Sequence, residues 1–107
     1  MIEIDPELWP LFYVGRLTAV MLPGTPDWVC FGGATITDGA REEPVTIHRV
    51  TATLLGRLAP EEFVAAGIHP WEAEPKMMQA VAETHREAWA AAGRPVTLVF
   101  FERRMDG

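Results

Sequence analysis

Gly15-Arg16-Leu17-Thr18 holds the residues in this chain best suited to chemistry. A glycine turn opening into a β-rich run, Leu17–Leu22, is how a small barrel presents a ligand cleft. Arg16 brings a planar fork of N–H donors that fits phosphate or carbonyl oxygens, and Thr18 adds a hydroxyl two residues on. Arg49 lies beside His48 in the middle of a long strand candidate. It either faces the cleft or pairs with Glu42 or Glu43 across a hairpin, because a charged residue in a small barrel needs a partner. Trp71, in the loop-like run His69-Pro70-Trp71, offers a ring on which a base can stack. Gly15, Arg16, Thr18, Arg49 and Trp71 are therefore the candidate ligand contacts.

Groups that could turn a substrate over are sparse. The chain has no serine and no asparagine, so a serine nucleophile is excluded, and Lys76 is the only side-chain amine. Lys76 opens an exposed helix between Glu74 and Gln79 and reads as a surface charge. Glu61 and Glu62 resemble a catalytic carboxylate pair, but first-turn acids favoured by the helix dipole account for them. His48, His69 and His85 have no metal-ligand spacing, so neither metal nor cofactor is expected. Cys30 reads as a small buried hydrophobe in a strand. Trp28 and Trp89 read as core.

Composition sets the frame. The chain has 107 residues, enough for one modest core, and residues 1–107 are read as a single domain. Its 49% hydrophobic content and regular patterning indicate a folded globule. No apolar run reaches the roughly 20 residues that span a bilayer. The start Met1–Asp5 is acidic, without the basic opening of a secretory signal, and a single cysteine suits a reducing compartment, so a cytoplasmic location is the expectation. The net charge of −6 argues against broad nonspecific nucleic-acid binding, although a small basic pocket can still hold a nucleotide or short strand. The basic residues are eight arginines and one lysine.

The elements that must position these groups follow from proline, glycine and periodicity. Asp5-Pro6-Glu7 starts a short helix that Gly15 ends. Leu17–Leu22 is a first strand, stopped by Pro23-Gly24-Thr25-Pro26. Trp28–Phe31 and Ala34–Thr37 read as one strand bent at Gly32-Gly33, and Asp38-Gly39 begins a hairpin loop running to about Glu43. Val45–Leu55 is a long strand whose apolar residues change face: Val45 and Ile47 keep one alternation, Val50, Ala52 and Leu54 the other, as a bulge would produce. Ala59–Gly67 is a short helix. A longer one is expected from about Pro75 to Ala92, with Met78, Val81, His85, Ala88, Trp89 and Ala92 on one stripe. Pro95–Phe101 is a nearly all-apolar, central last strand.

Three blocks, Val14–Leu22, Ile47–Thr53 with Leu58–Phe63, and Val96–Glu102, resemble the ASCH family of small PUA-like domains in content and order. The resemblance implies an α+β fold, a PUA-like mixed β-barrel of about five or six strands with two or three flanking helices. It also implies a cleft beside the first strand that takes RNA or a modified nucleotide. Some family members are amidohydrolases acting on acylated cytidine with a lysine, a threonine and a glutamate, and others resemble ribonucleases. Here Leu17, Val20 and Leu22 stand where the family places lysine, threonine and arginine, and the glutamate position falls near Ala66-Gly67. The expectation is therefore a binding module rather than an enzyme. The alternatives are a diverged amidohydrolase or ribonuclease, and an acidic interaction module whose Glu61, Glu62, Glu72, Glu74, Glu83 and Glu87 meet a basic protein partner.

Overall fold

Proline and glycine punctuation fixes most of the elements, and the computed structural model describes residues 1–104. The end of the expected single domain, 105–107, lies outside the described residues. Strand β1 is Ile2–Glu3, followed by a 3-10 turn at Pro6–Leu8 and helix α1, Trp9–Tyr13. The chain then reverses at Gly15, where φ is +77°. Strand β2 is Ala19–Pro23, β3 is Gly32–Thr37 and β4 is Glu42–Leu54. Helices α2, Pro60–Ala66, and α3, Pro70–Ala80, come next, then α4, Arg86–Ala91, and the last strand β5, Pro95–Arg103.

The strands form one mixed sheet in the order β1-β3-β4-β5-β2. Only β1 and β3 are parallel; every other neighbouring pair is antiparallel. The sheet curls into a half-barrel, so the α+β class and a count of five strands stand as expected. The described residues form four helices and not two or three, because the expected long helix is divided. Both faces are covered. One packs Ile36, Val45, Ile47, Val99 and Phe101 against Trp9, Phe12 and Leu17. The other packs Ala19, Met21, Val96, Leu98 and Phe100 against Ala66, Ala73, Met77 and Trp89 of α2 to α4. Alternate residues of β5 feed the two cores, which explains its nearly continuous apolar sequence.

The face change along β4 has the expected cause. Ile47 pairs with Phe101 and Arg49 with Phe100, leaving His48 as the extra residue of a bulge. Without it, Arg49 would continue the buried row of Val45 and Ile47. With it, Val50 returns to that core and Arg49 turns to the opposite face.

Several expectations are corrected. Trp28–Phe31 is not strand, and both Trp28 and Cys30 are exposed rather than core. The segment follows Pro23–Pro26 without pairing to a neighbouring strand, so only Val29 of it reaches a core, half-buried against Ile36 and its neighbours. The long helix is two. It begins earlier, at Pro70, and breaks where Val81 takes an extended conformation (φ −82°, ψ 135°). Arg86 Nε donates to the carbonyls of Met78 (2.9 Å) and Val81 (3.2 Å), giving the end of α3 the partner a continued helix would have supplied. The break re-aims α4, so that Trp89 is buried with its indole N–H on Pro95 O at 2.8 Å, while His85, Ala88 and Ala92 are exposed. His69-Pro70-Trp71 is the N-terminus of α3 and not a loop. Val99 and Phe100 are buried as expected, and Val81 is half-buried.

Candidate functional site

The turn at Gly15 is built by α1. The amides of Arg16 and Leu17 both donate to Leu11 O, at 2.9 and 3.1 Å, which closes the chain back on the end of the helix. Thr18 then bridges two elements: its N–H donates to Ala65 O of α2 and its carbonyl accepts from Phe101 N–H of β5, each at 3.0 Å. The backbone of this turn is therefore held from three sides, while the side chains of Arg16 and Thr18 are exposed.

Arg49 arrives at the same end of the sheet across one cross-strand row, Ala19 to Phe100 to Arg49. Its guanidinium lies 3.9 Å from the centre of the Phe100 ring, so its neighbour is an aromatic face and not Glu42 or Glu43. Glu43 instead accepts a 2.8 Å hydrogen bond from the Tyr13 hydroxyl. Trp71 makes its contacts elsewhere. It is 74% exposed on the first turn of α3, and its ring stacks on His69 at 4.4 Å.

Other residues complete the arginine-rich end. Trp9, Phe12 and Tyr13 pack ring against ring at 5.3–5.8 Å. Arg41, from the β3–β4 hairpin, sits 5.5 Å from Trp9 and 5.7 Å from Tyr13, and Arg103, at the end of β5, sits 4.8 Å from Tyr13. The hairpin is locked beneath them by Asp38. One carboxylate oxygen accepts from the amides of Ala40 (2.8 Å) and Arg41 (2.7 Å), and the other accepts from the Trp9 indole N–H (2.8 Å). The Arg41 amide, then Trp9 and the Ala40 amide, hold the Asp38 carboxyl down at about 2. Sequence reasoning missed Tyr13, Arg41 and Arg103 as one group. The available signal was three aromatics within five residues of a short helix, together with the density of arginines.

The cations of this end are without acidic partners: among the described residues, the ion pairs are those of Lys76 with Asp5 and Glu72 and of Arg94 with Glu74. Arg16, Arg41, Arg49 and Arg103 enter none, and neither do Arg57 and Arg86 at other places in the fold. Three of the four are stacked on rings, an arrangement that supports the guanidinium plane and leaves its edge N–H donors open to an oxygen ligand.

A second concavity, of about 730 Å³, lies where the half-barrel fails to close. Its walls are Met1, Glu3 and Asp5 of the β1 segment and Ala19–Pro23 of β2, with Met77 and Ala80 of α3 at its floor. Trp28, 54% exposed, stands at its wall. It runs beside β2, yet Gly15, Arg16, Thr18, Arg49 and Trp71 are not among the residues that line it.

Between the turn and this seam the chain is apolar. Leu17, 3% exposed, packs with Leu8 and Leu11 around Gly67 so tightly that a Cβ there would stand 2.8 Å from Leu8 Cδ2 and 3.1 Å from Leu17 Cδ1. Gly67 is also left-handed at φ +66°, where it ends α2. Leu17 and Gly67 thus meet as leucine against glycine, a packed contact without a titratable group.

Among the described residues no three His, Cys, Asp or Glu side chains converge as a metal site, and no helix is long and apolar enough to cross a membrane. No protein-family model matches the chain, and no match was found among curated proteins or solved structures.

Proposed function

We propose that this chain is an ASCH-like, PUA-like module that binds RNA or a modified nucleotide without turning it over. The carrying observation is the convergence of Arg41 and Arg103 on the Tyr13 ring, at 5.7 and 4.8 Å, with neither in an ion pair among the described residues of a protein whose net charge is −6. A chain with an excess of carboxylates would ordinarily neutralise such a group. Leaving it open suits a ligand that carries its own negative charge. Tyr13, exposed between Arg41 and Arg103, supplies a ring for a base, and those two guanidinium groups, with the exposed Arg16 three residues on, serve the phosphates. Thr18, held through its backbone, offers a hydroxyl to a sugar or base edge. The non-catalytic part of the reading rests on the packed Leu17–Gly67 contact, which leaves no base, nucleophile or oxyanion donor at the family's reaction centre.

The test is a two-dimensional amide NMR titration with an oligouridine and with cytidine 5′-monophosphate, at low and near-physiological salt. Saturable shifts should gather at Gly15–Thr18 and at the end of β5. Tyr13→Ala should weaken oligouridine binding by about 1–3 kcal/mol, the worth of one stacked base. Arg16→Ala and Arg103→Ala should each lower the salt slope by about one. An absence of saturable shifts at that end would overturn the reading. Hydrolysis of an acylated cytidine, lost in Thr18→Ala, would replace it with the amidohydrolase alternative.

A further inference from the structure

The seam is bounded by two strand edges, and the registers show which backbone groups face into it. In the β2–β5 ladder, Phe101 N–H donates to Thr18 O and Gly24 N–H to Pro95 O. Those two pairs lie on the same alternation as Val20 with Val99 and Leu22 with Thr97. Val20 and Leu22 therefore spend their backbone groups on β5, as do the Thr18 carbonyl and the Gly24 N–H. Ala19 and Met21 point their N–H and carbonyl groups, and Pro23 its carbonyl, the other way, into the seam. Across the gap, Ile4 N–H donates to Thr37 O, which places Ile2 and Ile4 against β3 and turns the N–H and carbonyl of Glu3 toward the same opening. Strand β1 runs with β3, whereas β2 runs opposite to it, so the facing edges are antiparallel to each other.

We propose that this seam is a β-augmentation site, in which an extended segment of a partner protein, apolar at alternate positions and basic between them, inserts as the sixth strand and closes the barrel. Main-chain bonds to Ala19 and Met21 supply the pairing, as in other edge-strand recognition. Alternate side chains of the segment face the floor made by Leu8, Ala66, Ile68 and Met77, which is apolar throughout. Their neighbours point outward to the rim. There the charges are Glu3 and Asp5 on the wall and Glu72 behind it, set against Lys76, 3.3 Å from Asp5 and 3.9 Å from Glu72, and the α-amino group of Met1. Three carboxylates against two ammonium groups leave the rim net negative, with Glu3 outside any ion pair among the described residues, which favours Lys or Arg over a phosphate backbone. The seam and the arginine-rich end thus carry opposite charge preferences, so this site stands or falls separately from the nucleotide reading.

The probe is a synthetic hexapeptide of alternating lysine and valine, with its ends blocked. It is compared with the same peptide N-methylated at alternate residues, and with a version carrying glutamate in place of lysine. The expected result is saturable amide shifts at Glu3, Ala19 and Met21, with affinity lowered at least about tenfold by N-methylation and by the charge reversal. Met21→Pro, which removes one edge N–H, should abolish binding while circular dichroism stays unchanged. Should that variant unfold, the N-methylated peptide decides alone. Glu3→Lys should weaken the lysine peptide and not the glutamate one. Binding indifferent to N-methylation, shifts confined to the arginine-rich end, or oligouridine shifting the seam amides in place of the peptide would each overturn the proposal.

Discussion

The arginine-rich end and the open seam lie on either side of one short run of chain, and they are opposites. At the first, the backbone is fully spoken for: Thr18 donates to α2 and accepts from β5, while the side chains above it have open donors. At the seam the side chains are mostly apolar and the backbone is what remains unpaired. A half-barrel can present two kinds of recognition surface, one made of side chains at the end of its strands and one made of main chain along its unclosed edge. The leucine contact around Gly67 keeps them apart, since Leu17 follows Arg16 directly and Leu8 reaches the seam.

The largest effects should come from the two cores behind these surfaces. Phe12 backs the arginine-rich end and Trp89 belongs to the core beneath the seam, and both are buried. Each change to alanine should cost about 3–5 kcal/mol in urea unfolding. Near-equal losses would show that the sheet leans on both layers. A Trp89→Ala cost below about 1 kcal/mol would mean that the α4 layer is dispensable and the comparison lopsided.

Next comes the barrier between the regions. Gly67→Ala puts a Cβ against Leu8 and Leu17 in a left-handed backbone and should cost about 2–3 kcal/mol. It should also shift amides on both sides of the barrier, at Arg16 and at Met21, which a purely local strain would not do.

The smallest effect is a matter of pH. Asp38 is held at about 2 against an ordinary value of 3.8, so the stability it lends the hairpin is complete above the ordinary value and is lost as pH falls towards 2. Urea midpoints measured from pH 5 down to 2 should fall less steeply for Asp38→Asn than for the native chain. Identical slopes would detach Asp38 from the support of Trp9 and Arg41.

Much of the element order was legible because this chain marks its boundaries with proline and glycine, and because the shift of apolar face after Ile47 announced a bulge before its partner strand was known. The helix break at Val81 was not legible. No glycine or proline marks it, and the group that stabilises it, the Arg86 side chain, acts through contacts that exist only after folding. Trp28 and Cys30 misled because composition cannot show whether a neighbour arrives to cover a segment. For the candidate site, the Gly15 turn and Arg49 could be singled out by residue type. Their companions could not, since Trp9 with Asp38, Tyr13 with Glu43 and Tyr13 with Arg103 are joined by the fold across long stretches of sequence. The seam was invisible for a related reason: an unpaired edge is a property of strand order, which local pattern does not encode.

The position of β5 bears on how the protein is made. Translated from the N-terminus, the chain releases β2 early and β5 after every other strand, yet β5 is the strand that joins β2 to the rest of the sheet. Until Pro95–Arg103 has left the ribosome, β2 has no strand to pair with, and the faces of both cores stay incomplete. The decisive step in folding this domain therefore waits for β5, and until then the apolar segment Ala19–Leu22 has no strand to cover its edge.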